Sequence, residues 1–201
     1  MRKLLVGLAL LALAGCGYMP ISSMLKLRQL DLMTADARQI RIAVQMPDAL
    51  EVREDGAVLE IGAERPNPDE NLQERFILEK IDGAVLADMP GVEAKPGFHL
   101  AVFRMAEADM ARLAALRGKI KAWKEQDPDG TKGTLSIGAA GCRREQLPEG
   151  ALLVSTYLRT DSEQEFITMA RNFDLRSAVP EFGADLDLAP CKTGSAASSP
   201  E

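Results

Sequence analysis

The chain has 201 residues, with 24 basic and 30 acidic side chains and a formal net charge of −6 at pH 7. Its hydrophobic content of 46% excludes an intrinsically disordered protein, and a chain of this length buries a sizeable core as one domain. The excess of acid argues against a nucleic-acid partner or an anionic-lipid surface, because both require clustered lysine and arginine. Aromatic residues are only 4%, so we expect an aliphatic core.

The first residues have the pattern of an export signal. Arg2 and Lys3 precede an uninterrupted run of Leu, Val, Gly and Ala over residues 4–14. A positive start, a short apolar run and small residues at its end are typical of a secretory signal peptide. Because a membrane-spanning helix needs about 20 apolar residues, the run is too short to be a permanent anchor.

The run closes with Leu13-Ala14-Gly15-Cys16, which resembles the lipobox of bacterial lipoproteins over about the first 17 residues. The resemblance implies cleavage between Gly15 and Cys16 and lipid attachment to Cys16, which anchors the protein in a membrane when more than one acyl chain is added. Gly17 in place of Asp implies sorting to the outer membrane, with the domain facing the periplasm. The alternative is an ordinary signal peptide cut near Gly15 that leaves Cys16 a free thiol.

This resemblance sets the expected domain organisation. Residues 1–15 form the signal peptide, 16–33 the lipidated N-terminus and tether, 34–191 a single β-rich periplasmic domain, and 192–201 a disordered tail. Removing residues 1–15 takes away two basic and no acidic residues, which leaves 22 basic and 30 acidic residues and a formal charge of −8.

The N-terminal half of the domain contains alternating segments. Thr34-Ala35-Asp36-Ala37 predicts the cap of one helical turn. Residues 40–46 and 57–63 then alternate apolar and polar positions, and we expect them to pair as antiparallel neighbours. A third segment covers residues 72–81. Asp82-Gly83 then predicts a hairpin turn into a short return strand, residues 84–87. Residues 98–103 are apolar on both faces, which predicts a central strand.

One helix is predicted from about residue 107 to residue 125. Apolar residues recur at steps of three and four, which forms one apolar stripe: Met110, Leu113, Leu116, Ile120 and Trp123. Asp127-Pro128-Asp129-Gly130 ends the helix.

The chain then returns to alternating segments over residues 134–140, 152–159 and 166–173. The predicted fold is therefore mainly β with one long helix (α+β), an antiparallel β-sandwich or curved sheet of seven or eight strands with the helix packed on it.

Beyond Cys16 the chain has two cysteines, Cys142 and Cys191. In an exported protein an isolated pair predicts a disulfide, for which chain entropy gives about 4 kcal/mol of stabilisation. A metal-binding or catalytic thiol pair is the alternative, but it lacks Cys-x-x-Cys spacing and has only one histidine to assist it.

Candidate chemistry is sparse. His99 is the only histidine and lies in a predicted strand, which favours a structural role. Asp127-Pro128-Asp129-Gly130-Thr131 resembles the Asp-x-Asp-Gly-Thr signature of haloacid-dehalogenase-type phosphatases, but it follows the polar end of a helix rather than a buried strand. We therefore expect a helix-stopping turn there. The acidic pairs Asp69-Glu70 and Asp185-x-Asp187 are typical of solvated loops.

These observations predict no catalytic residues, no metal site and no cofactor. The favoured hypothesis is a non-catalytic lipoprotein that binds or scaffolds an envelope protein or peptidoglycan, with a sheet edge or the Phe98 region as a place for a partner strand. One alternative is a periplasmic hydrolase using Ser136, His99 or an acidic pair. The other is a carrier of a small apolar ligand, because an aliphatic sheet can enclose a pocket.

Overall fold

The computed structural model describes residues 33–83, 89–161, 165–177 and 188–192. The signal segment, Cys16, the tether up to residue 32, the predicted return strand 84–87, Asp185, Asp187 and residues 193–201 lie outside the described residues.

The described chain forms seven strands and one long helix. The strands are β1 (Arg41–Pro47), β2 (Leu50–Glu64), β3 (Leu72–Lys80), β4 (Phe98–Met105), β5 (Lys132–Arg143), β6 (Leu153–Arg159) and β7 (Ile167–Asp174). The helix α1 (Met110–Gln126) is preceded by a 3₁₀ turn, Glu107–Asp109. These elements confirm the predicted α+β class and most of the predicted strand and helix positions. The second strand is the exception, because β2 begins at Leu50 and not at residue 57 and runs through Glu54-Asp55-Gly56.

The strands form a single antiparallel sheet in the order β5-β2-β3-β4-β1-β6-β7, curled into a half-barrel. The curved sheet is therefore the alternative that the structure adopts. β4 lies in the middle of the order, as its two apolar faces predicted.

The predicted pairing of the first two strands is wrong. β1 pairs with β4 on one side and β6 on the other, whereas β2 pairs with β3 and β5. The physical reason is burial: residues Ile42 to Pro47 are all buried, so β1 takes an interior position in the sheet with both edges bonded. β2 instead lies opposite β1 across the concave side, where the two strands line a common cavity.

The concave face carries the main core. Its fully buried side chains come from most strands and include Ile42 and Val44 of β1, Leu59 of β2 and Phe76 of β3. The helix contributes Leu113, Leu116 and Ile120, all 2% exposed or less, with Met110 and Trp123 packed beside them. The predicted apolar stripe of the helix is confirmed.

Side-chain contacts place α1 at one end of the half-barrel. The Arg65 guanidinium at the end of β2 lies 4.8 Å from the Trp123 ring, and the Arg112 guanidinium lies 4.5 Å from the Phe76 ring. The helix stops as predicted, because Asp127 Oδ1 accepts a hydrogen bond from the Gly130 N–H at 2.9 Å.

The convex face has a smaller core under a loop. Ala43, Val102, Tyr157, Phe166 and Met89 form this second cluster. The buried Gln45 fixes the loop to the sheet, since its Nε2 donates to the Glu93 carbonyl at 2.7 Å and its Oε1 accepts from the Tyr157 hydroxyl at 3.3 Å. Because this loop packs on the convex face, β1 is buried on both faces.

Candidate functional site: an apolar cavity at the open end of the half-barrel

The end of the concave face away from α1 contains a cavity of about 460 Å³. Its described walls come from β1, β2, β5 and β6 and from two segments that follow the sheet. The apolar lining side chains are mainly aliphatic: Val44, Met46, Leu50, Val52, Ala139, Ala140, Val154, Leu175, Leu188 and Ala189. The volume lies in the range of about 300–1,000 Å³ that is usual for small-molecule sites.

A bulge in β2 shapes one wall. The register between β2 and β5 shifts between Val52 and Ala57, and Asp55 within the bulge has a φ of 58°. Gly56 is required there, because a Cβ would lie 2.5 Å from the Ala140 carbonyl oxygen. Bulges re-aim neighbouring side chains and bend the strand. Here the bulge follows directly on Val52 and Arg53, which both line the cavity.

The predicted disulfide is present and holds a second wall. Cys142 at the end of β5 is bonded to Cys191 with an S–S distance of 2.04 Å. The Arg143 N–H donates to the Ala189 carbonyl at 3.0 Å, and the Cys191 N–H donates to the Arg143 carbonyl at 2.9 Å. The disulfide and these two hydrogen bonds fix Leu188 and Ala189 against β5, beside the cavity.

A carboxylate holds the third wall, at the end of β7. Asp174 Oδ1 accepts hydrogen bonds from the N–H of Leu152 at 2.9 Å and from the N–H of Arg176 at 3.0 Å. These bonds, first that from Leu152, lower the pKa of Asp174 below its ordinary value, because they favour the ionised form. The Leu175 N–H then bonds to the Leu152 carbonyl at 3.0 Å, which places the Leu175 side chain at the cavity.

The rim of the cavity carries charge. Glu51 Oε1 lies 3.1 Å from Lys80 Nζ, and Glu51 Oε2 lies 3.7 Å from Arg144 Nη1. Arg53, also on the rim, is exposed and has no carboxylate within 4.0 Å in the described part of the chain. The rim therefore presents an unpaired cation beside an aliphatic interior.

His99 lies outside the cavity lining, next to this charged group. Its Nδ1 is 3.5 Å from Asp48 Oδ1 and its Nε2 is 3.9 Å from Glu51 Oε2, and the side chain is 23% exposed. Both distances are long for hydrogen bonds, and neither ring nitrogen has a hydrogen-bond partner among the described residues.

The structure does not bring together Ser136, His99 and the described acidic pair Asp69-Glu70, which are the described candidates for a hydrolase. Ser136 is exposed on β5 opposite Glu60, whereas His99 lies on β4, and β2 and β3 lie between those two strands. Glu70 Oε2 forms an ion pair with Arg65 at 3.0 Å at the other end of the sheet.

Among residues 33–83, 89–161, 165–177 and 188–192, no group of three or more His, Cys, Asp or Glu side chains is arranged to hold a metal ion. In the same ranges, no helix has the length and apolar character needed to cross a membrane.

The cavity itself was not visible in the sequence. Its lining residues appear in the sequence as ordinary strand positions, and only the curl of the sheet separates those that meet the helix from those that line the cavity. The only sequence feature that pointed towards such a cavity was the aliphatic composition. Comparisons of the chain with protein-family models, with curated proteins and with solved structures find no match.

Proposed function

We propose that this protein is a lipid-anchored binding protein of the bacterial outer membrane that holds an aliphatic ligand in the half-barrel cavity. The observation that carries the proposal is the apolar cavity of about 460 Å³, walled by a disulfide-linked segment. The lipobox at Cys16 supports a position at a membrane, where aliphatic molecules are abundant. We propose no catalytic role, since the sequence lacks a catalytic set and His99 and Ser136 lie apart.

The charge at the rim sets the ligand class. Glu51 is already balanced by Lys80 and Arg144, which leaves Arg53 without a counter-charge among the described residues. An arginine at the mouth of an apolar site favours an anionic head group, because its guanidinium pairs with carboxylate or phosphate. We therefore propose a single-chain amphiphile with an acidic head.

Photocrosslinking tests the cavity. Membranes containing the full chain are irradiated with an aliphatic diazirine fatty acid, and the adducts are located by mass spectrometry. We expect adducts on peptides that contain Val52 or Val154. Val154→Trp fills the cavity and should abolish them, whereas Ile77→Trp, on a side chain that is 45% exposed outside it, should not.

Arg53→Gln should reduce the adduct yield without changing its position. Adducts that spread evenly over the chain, or that persist in a folded Val154→Trp variant, would contradict the proposal. Urea unfolding establishes that the variants are folded.

The anchor has a separate test. Cys16→Ala should release the protein from membranes and prevent incorporation of labelled acyl chains. If the variant still cofractionates with membranes and carries the label, the lipobox interpretation is wrong.

A second candidate function is strand addition at the β5 edge. β5 is a 12-residue edge strand with no charged residue between Lys132 and Arg143, whereas the other edge strand, β7, is interrupted by register shifts. Charges normally protect such edges from pairing with other chains. A photocrosslinker at Ser136 should give one discrete adduct in intact cells, and one at Glu79 should not. No adduct at Ser136 would argue against a strand partner.

A further inference from the structure

Three arginines lie side by side on the convex face. In the strand register, Arg41 of β1 is directly opposite Arg104 of β4 and directly opposite Arg159 of β6. Directly opposed residues in antiparallel strands share a face, with Cβ atoms about 4.5–5.5 Å apart. The three side chains, here called the arginine row, therefore concentrate positive charge in a chain whose net charge is negative.

The row is only partly neutralised. Arg104 Nη2 lies 3.1 Å from Glu79 Oε2. Within the described residues, neither Arg41 nor Arg159 has a carboxylate within 4.0 Å. One excess positive charge on each of these two arginines therefore remains.

Arg41 and Arg159 have contacts that orient them without balancing their charge. Arg41 Nη1 donates to the carbonyl oxygens of Arg38 and Ile40, at 2.7 Å and 2.9 Å. The Arg159 guanidinium lies 4.7 Å from the Phe166 ring centre, and its buried Nε has no hydrogen-bond partner. A buried donor without a partner calls for an explanation, and a bound ion is one such explanation.

Like charges directly opposite one another destabilise a strand pair. The pKa of Arg41 is lowered, first by burial and then by the neighbouring charges of Arg159 and Arg104. A bound anion removes this repulsion, and arginine binds phosphate oxygens through paired N–H groups.

We propose that the arginine row is a phosphate-binding site whose ligand is the phosphate of a lipid head group. A domain held at a membrane by Cys16, as proposed above, lies next to the phosphates of lipid head groups. The lipid source rests on the proposed anchor, whereas the phosphate chemistry does not. The site is a local exception to the acidic composition that argued against an anionic partner.

Thermal unfolding tests the site on the full chain in nonionic detergent. Inorganic phosphate, compared with chloride at equal ionic strength, should raise the melting temperature by about 2–4 °C. Arg159→Gln should abolish this rise and, without phosphate, should melt above the wild-type protein because repulsion is relieved. Arg75→Gln, an exposed arginine on β3 outside the row, is the matched control and should respond like wild type.

Mixed micelles identify the source of the phosphate. Phosphatidylglycerol should stabilise the wild-type protein more than phosphatidylcholine does, and Arg159→Gln should remove the difference. Stabilisation by inorganic phosphate alone would overturn the lipid source. Equal responses of wild type and Arg159→Gln to phosphate would overturn the site. Failure of the Cys16→Ala test leaves the phosphate result unaffected, so the two proposals fail separately.

Discussion

The two ends of the concave face share strands and differ in what fills them. At one end α1 places Leu113, Leu116 and Ile120 into the half-barrel, and each is 2% exposed or less. At the other end Val154, Leu175 and Leu188 are only partly buried and border a cavity of about 460 Å³. Because both ends are aliphatic, composition does not distinguish core from site. The helix distinguishes the core from the site, because α1 covers only one of these two ends.

Because of this difference, we expect substitutions at the helix end to affect mainly stability and substitutions at the cavity end to affect mainly ligand binding. Side chains under the helix have neighbours on all sides, so their removal leaves voids. Side chains that border the cavity lack neighbours on one side among the described residues, so the same change costs less there and alters the cavity instead. The predictions below run from the largest expected effect to the smallest.

Removing the disulfide should have the largest effect. The double variant Cys142→Ser, Cys191→Ser should lose about 4 kcal/mol of unfolding free energy, because it frees a loop with a sequence separation of 49 residues. It should also lose diazirine adducts, since Leu188 and Ala189 leave the wall. Urea unfolding measures the first effect, and reduction of wild type with dithiothreitol should reproduce it. A loss below about 1 kcal/mol would show that the bond does not constrain the unfolded chain.

A matched pair of leucines tests the two ends directly. Leu116→Ala should cost about 3 kcal/mol, within the usual range for a buried leucine. Leu175→Ala at the cavity should cost about 1 kcal/mol, because part of its surface already lacks packed neighbours. Urea unfolding at pH 7 compares them. Equal losses would mean that the cavity end is packed as tightly as the helix end.

Enlarging a side chain should lower the stability of the protein at the helix end and raise it at the cavity end. Ala63→Val, at a fully buried position at the helix end, should lower stability by about 1–3 kcal/mol because the core is already filled. Val154→Leu should raise it by about 0.5–1 kcal/mol, because the added carbon enters open space. Thermal and urea unfolding check both, and a destabilised Val154→Leu variant would contradict a preformed cavity.

Asp174→Asn should have the smallest effect, and that effect should depend on pH. The pKa of Asp174 is lower in the folded state, so the carboxylate contributes stability above its unfolded pKa of about 3.9 and loses this contribution as the pH falls through the folded value. The variant should therefore be less stable than wild type at pH 7, and the difference should shrink below pH 4. Denaturant midpoints at pH 7 and pH 3 test this, and a constant difference would assign the effect to packing.

The features that could be predicted from the sequence are those that depend on local patterns of residues. The apolar stripe from Met110 to Trp123 repeats every three or four residues, so the helix and its buried face follow without knowledge of the rest. The disulfide was predicted from two isolated cysteines together with an N-terminal segment that resembles an export signal. The central position of β4 follows from its two apolar faces.

Strand order and the two sites depend on the three-dimensional arrangement. Pairing β1 with β2 was the natural prediction for adjacent strands, but the burial of both faces of β1 depends on Tyr157 and Met89, which are distant in sequence. Arg41, Arg104 and Arg159 likewise come from three separate segments. Neither the cavity nor the arginine row corresponds to any contiguous motif.

The position of β1 also constrains how the chain reaches its fold. β1 is the first of the described strands to be synthesised, yet its partners are β4 and β6, which follow much later. Non-local pairing of this kind slows folding, because loop closure must precede the contacts that reward it. Until residue 159 is available, the apolar strand has an unpaired edge and is prone to aggregate. The export proposed above would therefore require protection of this strand until the second half of the sheet has followed.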